Sequence, residues 1–229
     1  RPFPKPLART REYVDIIRQV FAREGPVTND GPHYPLPYPG ADGTGLGKPL
    51  KPITHPLRNR IPIFMGAEGP KNVALAAEIA DGWIPLFYNP YDESVYEQSL
   101  KNMRPDFEIN QMVTVNVTDD IAAGLLAVKY FLSFYVGGMG AKTANFHNDL
   151  FCRMGYEEEA NRIQELFFEG KRDEAALVIP DELADSLSLI GPKERIKERL
   201  QIWRDSKVTT ILVATTDKQQ LRDMAELIL

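Results

Sequence analysis

Hydrophobic positions follow two different spacings along the chain. Over residues 7–24 apolar side chains recur at helical spacing, which predicts an amphipathic helix that ends at Gly25-Pro26. Farther along, short continuous apolar runs predict four buried strands, with helices between and after them. Since strands that alternate with helices form parallel sheets, the pattern predicts an α/β fold. The predicted strands lie at 61–66, 83–88, 107–117 and 208–213.

Two segments depart from this alternation. Residues 26–60 hold a large share of the 18 prolines and 16 glycines, which predicts a long loop of the kind that is usually functional or disordered. Residues 137–190 are predicted as short helices punctuated by glycine and proline, and are interpreted as a helical insertion. With both segments included, residues 1–229 are expected to form a single domain.

The number of strands bears on the architecture. A closed eight-stranded barrel takes about 250 residues, and four strands cannot close one. The sheet is therefore either open or the C-terminal half of a barrel whose N-terminal half is missing from this chain. The first residues, Arg1-Pro2-Phe3, include neither an initiator methionine nor the apolar core of a signal peptide, which favours the half-barrel.

Composition narrows the class of protein. The chain has 27 basic and 32 acidic residues without a basic cluster, which argues against a nucleic-acid partner. Its single cysteine, Cys152, cannot form an internal disulfide and is typical of a reducing compartment. A run of 18 or more apolar residues does not occur, so a membrane helix is not expected. We expect a soluble, cytoplasmic protein.

The strongest candidate site is Gly66-Ala67-Glu68-Gly69-Pro70, between the first predicted strand and its helix. Small residues let the backbone approach a ligand, and the helix presents unpaired N–H groups and the positive end of its dipole. This arrangement suits a phosphate or another anion, although a simple tight turn explains the segment equally well. A helix terminus contributes roughly 0.3–1 kcal/mol, whereas micromolar binding needs about 8 kcal/mol. Other loops must therefore supply most of the affinity.

Other residues give weaker signals. Residues 137–140, Gly-Gly-Met-Gly, are interpreted as a helix end with a flexible link in preference to a ligand-contacting loop. Cys152 is interpreted as a small packing residue and not as a nucleophile. The histidines are too scattered for a metal site: His33, His55 and His147.

Several segments resemble the luciferase-like (bacterial luciferase superfamily) oxidoreductases, and most closely the actinobacterial branch that uses coenzyme F-420 (F420), an 8-hydroxy-5-deazaflavin. The resemblance covers essentially the whole chain and implies a TIM-like (β/α)8 barrel with an insertion. It also implies a longer N-terminus ahead of Arg1, and a longer loop where this chain has residues 102–105, with the difference in length near residues 103–104. The segments are 3–13, 66–83, 137–140, 145–149 and 208–213.

The resemblance implies an enzyme that transfers hydride between F420 and a small organic substrate. In relatives, the loop that matches Gly66, Ala67, Glu68, Gly69 and Pro70 lies against the phosphate-bearing chain of the cofactor. The groups that contact the ring and the substrate lie largely on earlier strands, so we assign no catalytic residue. We expect this chain alone to bind the cofactor weakly or not at all, and to be inactive. Two alternatives stay open: an FMN-dependent luciferase-like monooxygenase, and a non-catalytic flavin- or deazaflavin-binding protein. We expect a homodimer or association with the missing N-terminal half.

Overall fold

A computed structural model describes residues 4–228 of the chain. Within them, ten helices and five strands follow one another. The strands are β1 (Phe64–Gly66), β2 (Gly82–Ile84), β3 (Glu108–Val117), β4 (Ser188–Gly191) and β5 (Thr210–Ala214). The helices are α1 (Pro6–Ala22), α2 (Pro70–Ile79), α3 (Ser94–Leu100), α4 (Ile121–Gly138), α5 (Phe146–Arg153), α6 (Glu157–Phe168), α7 (Arg172–Val178), α8 (Asp181–Ser186), α9 (Lys193–Asp205) and α10 (Lys218–Ile228).

The five strands form one parallel sheet in which β3 is the central strand. β2 pairs with β1 and with the first two residues of β3, while β5 pairs with residues 110–114 and β4 with residues 114–117. Because β1 and β2 are parallel and in register, Gly66 and Ile84 lie at the same end of the sheet. We call this end the carboxyl edge, and the opposite end, at Phe64 and Gly82, the amino edge.

Helices cover one face of β3. Ile109, Val113 and Val115 alternate along the strand and are buried, as expected for residues that share one face. Ile109 belongs to a large core formed with α2–α8, and the two valines belong to a second core formed with α9 and α10. On the opposite face, Met112 and its neighbour Leu212 are exposed.

One described helix, α4, is long and apolar enough to cross a membrane by length and composition, with a mean hydropathy of 1.5 over its 18 residues. Within the fold, however, it packs against α5, α6, α7, α8 and β4. Gly124, Leu125, Val128, Leu132 and Val136 are buried by these contacts. α4 therefore packs as a core helix. It begins after Asp120, which is its N-cap and accepts a hydrogen bond from the N–H of Ala123.

The predicted order of elements is confirmed, with two corrections. The sheet has five strands and not four, because β4 lies at the end of the segment interpreted as a helical insertion. The second strand ends at Ile84 and does not reach residue 88, since Pro85 has no N–H to donate to a neighbouring strand. The helices of the 137–190 segment are present, while the single-domain organisation stays a prediction.

The loop at residues 26–60 contains no helix or strand, only the isolated bridges Val27↔Leu50 and Asn29↔Leu36. It is attached to α1 through Glu12. One carboxylate oxygen of Glu12 accepts hydrogen bonds from the Asn29 side chain at 3.0 Å and from the backbone N–H groups of His33 and Tyr34 at 3.1 and 2.9 Å. These bonds fix the first part of the loop against the helix.

A charged cluster holds the amino edge. Asp81, which lies just before β2, accepts a hydrogen bond from the N–H of Ile63 at 2.9 Å and is surrounded by Arg18, Arg60 and Arg104. Burial tends to raise the pKa of Asp81, but the Ile63 N–H and the arginines outweigh it, so the pKa lies below its ordinary value. Arg60 is the end of the long loop, so this cluster also fastens that loop to the sheet.

Candidate functional site

A cavity of about 770 Å³ lies at the carboxyl edge of β1 and β2. The ends of both strands, the start of α1, the start of α2 and one face of α5 line it. All five residues of the predicted site lie on its wall: Gly66, Ala67, Glu68, Gly69 and Pro70. The structure therefore places the 66–70 loop beside an open space large enough for a ligand, although ligand binding by these residues stays a prediction.

Donors from two other elements hold the first carbonyl groups of the 66–70 loop. The indole N–H of Trp83, a fully buried residue of β2, donates to the carbonyl oxygen of Ala67 at 2.8 Å. Arg153, the last residue of α5, donates through Nη2 to the carbonyl oxygen of Glu68 at 3.0 Å. Both acceptors therefore have a partner within the protein.

The remaining carbonyl groups of the loop are engaged as well. The carbonyl oxygen of Gly69 accepts from the N–H groups of Asn72 and Val73 at 2.9 and 3.0 Å, which starts α2. The hydroxyl of Ser99 donates to the carbonyl oxygen of Pro70 at 3.1 Å. Every carbonyl oxygen from 67 to 70 therefore accepts at least one hydrogen bond within the protein, whereas some of the loop N–H groups have no partner.

Two N–H groups at the start of α2 are free to bind an acceptor. Within residues 4–228, the N–H groups of Gly69 and Lys71 have no hydrogen-bond partner, and the N-cap position makes no side-chain bond. Free amides at a helix N-terminus attract anions. Pro70 has no N–H, and those of Asn72 and Val73 are used within the helix, so the anion-binding capacity is smaller than the sequence alone suggests.

The glycines of the loop leave its surface open. A Cβ atom added to Gly66 or Gly69 meets nothing within 4 Å. Gly69 has φ −71° and ψ 142°, a conformation that any residue adopts, so the fold does not require glycine there. The absence of a side chain instead keeps the space above the backbone free for a ligand.

Glu68 is the most perturbed acidic residue of the site. Its Oε1 accepts from the N–H of Leu86 at 3.0 Å, while its Oε2 is buried without a partner. Burial raises the pKa of Glu68 to about 7, against the opposing effects of the Leu86 N–H and of the Arg153 charge. A carboxyl group with this pKa is a mixture of neutral and ionised forms near pH 7.

Sequence reasoning did not find the contribution of α5. Phe146, Asp149 and Arg153 line the cavity, and their spacing of three and four positions places them on one face of the helix. That spacing was the only local signal, since nothing in the sequence shows that residue 153 meets residue 68. Residues 145–149 are indicated in the sequence only by the family resemblance.

A buried asparagine positions α5. Asn145 is the N-cap, and its side-chain oxygen accepts from the N–H groups of His147 and Asn148. Its side-chain nitrogen donates to the carbonyl oxygens of Tyr135 and Val136 at the end of α4, at 3.0 and 2.8 Å. The start of α5 is thereby tied to α4, which directs its next turns toward the cavity.

The remaining candidates lie away from the cavity wall. Gly137 and Gly138 pack against Phe167 in the last turn of α4, so the interpretation as a helix end fits the structure. Burial raises the pKa of the Cys152 thiol, which disfavours the reactive thiolate. In the part of the chain that the structure describes, no three His, Cys, Asp or Glu side chains are grouped to hold a metal ion.

The family model for luciferase-like monooxygenases matches residues 1–210, and the chain belongs to this family. A protein of Mycobacterium tuberculosis, whose name assigns it as a coenzyme F420-dependent oxidoreductase, is 51% identical over 235 residues, covering 99% of this chain and 68% of that protein. The 5,10-methylenetetrahydromethanopterin reductase of Archaeoglobus fulgidus is 28% identical over 223 residues, covering 92% and 61%. The predicted family is confirmed.

Solved structures agree with the fold. The F420-dependent tetrahydromethanopterin reductase from Methanopyrus kandleri superposes with a TM-score of 0.69 at 20% identity, over 97% of this chain and 61% of that one. An F420-dependent secondary alcohol dehydrogenase, solved with an F420–acetone adduct, gives 0.61 at 13% identity. At these identities the likeness shows the fold alone, and it confirms the predicted TIM-barrel class. The chain spans about two thirds of the length of its relatives, 61–68%.

Proposed function

We propose that this chain binds coenzyme F420 and serves hydride transfer between that deazaflavin and a small organic substrate. The names of its relatives support this proposal, since the 51% identical protein is named as F420-dependent. The observation that carries it is the state of the 66–70 loop. Its carbonyl groups from residue 67 to residue 70 are bonded to the protein, the N–H groups of Gly69 and Lys71 are free, and its glycines leave the cavity open.

The residues present fit the phosphate-bearing part of such a cofactor. The free N–H groups of Gly69 and Lys71 lie at the positive end of the α2 dipole. Lys71 and Arg153 add two basic side chains to the cavity wall, which also includes the acidic residues Glu68 and Asp149. The volume, about 770 Å³, lies within the range of small-molecule sites. We therefore propose that the 66–70 loop and Lys71 hold the phosphate.

Bound F420 supplies the chemistry, because C5 of its ring donates or accepts the hydride. The proposed role of this chain is to anchor the cofactor and to shield it from water. Leu7, Ile84, Leu86 and Phe146 provide apolar wall on the sides of the cavity, which excludes water from the ligand. We assign no catalytic residue within this chain.

Titration with two cofactors tests the proposal. We expect oxidised F420 to bind the chain at least about tenfold more tightly than FMN, which corresponds to about 1.4 kcal/mol. Tighter binding of FMN favours the alternative of an FMN-dependent monooxygenase, which would also consume oxygen when supplied with reduced FMN. Tight F420 binding by the full-length protein, without turnover of any alcohol, carbonyl or enone substrate, favours a non-catalytic carrier. Binding of neither cofactor contradicts the proposal.

Gly69→Val probes the 66–70 loop itself. The valine side chain fills the space above the backbone, so F420 affinity is expected to fall at least about tenfold while the fold is retained. Gly25→Val is the matched control, because a Cβ there also meets nothing within 4 Å but the residue lies outside the cavity. Unchanged F420 affinity in Gly69→Val removes the loop from the site.

We also propose that the chain associates, either as a homodimer or with a further N-terminal segment, in the cytoplasm. The exposed Met112 and Leu212 on the uncovered face of the sheet support association. Light scattering tests it, and a stable, cooperatively folded monomer of 25.9 kDa contradicts it.

A further inference from the structure

Glu68 and Arg153 are in contact yet each keeps one buried polar atom unpaired. Arg153 Nη2 donates to the backbone oxygen of Glu68, while Glu68 Oε2 and Arg153 Nε have no hydrogen-bond partner. The Arg153 guanidinium therefore contacts the backbone of Glu68, and no salt bridge within 4.0 Å joins the two side chains. Unpaired buried polar atoms lower stability, so the arrangement points to a role in binding.

Together the two residues connect three elements behind the 66–70 loop. Glu68 Oε1 accepts from the N–H of Leu86, just after β2, and the carbonyl oxygen of Leu86 accepts from Gln111 of β3 at 2.9 Å. Arg153 brings the end of α5 to the same point. The direction of the loop amides therefore depends on contacts that Glu68 and Arg153 make.

We propose that Glu68 and Arg153 are a positioning pair, which orients the 66–70 loop and, through its charge, sets how tightly the loop holds the phosphate of the cofactor. The proposal rests on the proposed function and extends it to the side chains that hold the loop in place. Both residues line the cavity, but Glu68 Oε2 and Arg153 Nε are buried, so these two atoms act on the ligand through the loop.

The charge state of Glu68 gives the pair a pH dependence. The charged and titratable groups around it are Arg153 and Asp149 of α5, Lys71 of α2 and Tyr96 of α3. Burial raises the pKa of Glu68 to about 7, so ionisation places a negative charge behind the anion site above that pH. A bound anion favours the neutral carboxyl, so binding takes up a proton and affinity falls as the pH rises through about 7.

Two ligands and four variants test the pair. The ligands are F420 and 8-hydroxy-5-deazaflavin without the phosphate-bearing chain, each titrated at pH 6 and pH 8. Arg153→Met is expected to weaken F420 binding about tenfold or more, since a charge-assisted bond to the loop is lost, and to leave the phosphate-free ligand unchanged. Arg153→Lys should recover part of the loss. Arg162→Met, on the exposed side of α6, is the control and should change neither ligand.

Glu68→Gln isolates the charge, because its amide oxygen still accepts from Leu86. Wild-type F420 affinity is expected to be several-fold weaker at pH 8 than at pH 6, and the variant should show the same affinity at both. Equal losses for both ligands in Arg153→Met, or a wild-type pH profile in Glu68→Gln, overturn the positioning pair. If the wild-type chain does not bind F420, the proposed function is wrong and the pair falls with it. If Arg153→Met does not fold, Arg153→Lys and Glu68→Gln decide the question.

Discussion

Acidic and arginine side chains lie at both edges of the sheet, but they are fully paired at one edge and partly unpaired at the other. At the amino edge, the Asp81 carboxylate is bonded to the N–H of Ile63 and paired with three arginines. At the carboxyl edge, Glu68 and Arg153 lie together with one unpaired atom each, and two backbone amides are free. Charged groups that are paired within the protein stabilise the fold, whereas polar groups without partners beside a cavity can bind a ligand. The two edges therefore differ in whether their polar groups are paired within the protein, and not in their residue types.

Glycines show the same contrast. At Gly82, on the amino edge, a Cβ would lie 2.2 Å from the Phe64 ring and 2.7 Å from the carbonyl oxygen of Glu108. Gly82 is therefore required for close packing of β1, β2 and β3. At Gly69, on the carboxyl edge, the same atom meets open space. Gly82 therefore allows close packing of the strands, and Gly69 leaves space for a ligand.

The largest expected effect is on the amino edge. Asp81→Ala removes the acceptor of the Ile63 N–H and the partner of three arginines, so we expect the free energy of unfolding to fall by about 2–3 kcal/mol. This loss of stability is smaller than for a buried salt bridge, because the arginine side chains are more than a third exposed. Urea denaturation measures it, with Asp106→Ala, an exposed partner of Arg104, as a near-neutral control.

Acid should reproduce this loss in the wild type. The pKa of Asp81 is lowered in the folded state, so its contribution is complete above the unfolded value, near 3.8, and is lost as the pH falls through the folded value. The difference in stability between wild type and Asp81→Ala should therefore shrink below about pH 4. A constant difference down to pH 2 contradicts the role of the carboxylate.

A smaller effect distinguishes the two glycines. Gly82→Ala is expected to lower the free energy of unfolding by about 1–3 kcal/mol, because the methyl group has to displace Phe64 or the backbone of β3. Gly69→Ala should leave stability within about 0.5 kcal/mol of the wild type, since its backbone is in an ordinary conformation. Thermal or urea unfolding of both variants checks the contrast, and equal losses would show that the carboxyl edge is also under packing constraint.

The smallest expected effect lies in the stability of Glu68→Gln. Because burial raises the pKa of Glu68 from 4.5 to about 7, the carboxyl favours folding when protonated, and its stability contribution declines as the pH rises from about 4.5 to about 7. Glutamine cannot ionise, so the variant should gain on the order of 1 kcal/mol relative to wild type between pH 5 and pH 8. If the stability of the wild type and of Glu68→Gln changes with pH in the same way, the pKa of Glu68 is not raised in the folded state.

Local pattern was sufficient for most of the fold. Apolar spacing predicted α1, short apolar runs predicted four of the five strands, and the segment ending in Pro70 predicted the start of α2. It failed at β4, because a four-residue strand with all its side chains buried has no alternation and follows directly after a helix. Only pairing with residues 114–117 makes it a strand.

The candidate site was predictable on one side only. The 66–70 loop has a sequence signature, since small residues join a strand to a helix that begins with proline. Arg153 is 85 positions away from Glu68, and packing of α5 against α4 brings it there. Similarly, the raised pKa of Glu68 comes from burial, which no residue near it in sequence specifies.

Because the indole of Trp83 is hydrogen-bonded to Ala67, its intrinsic fluorescence can report on the 66–70 loop. The chain has two tryptophans, and Trp203 is buried in the second core, beside Met224 and away from the cavity. Replacing Trp203 by phenylalanine would leave a single indole, attached directly to the back of the 66–70 loop. Its emission would then follow movement of that loop in real time, without any label added to the chain.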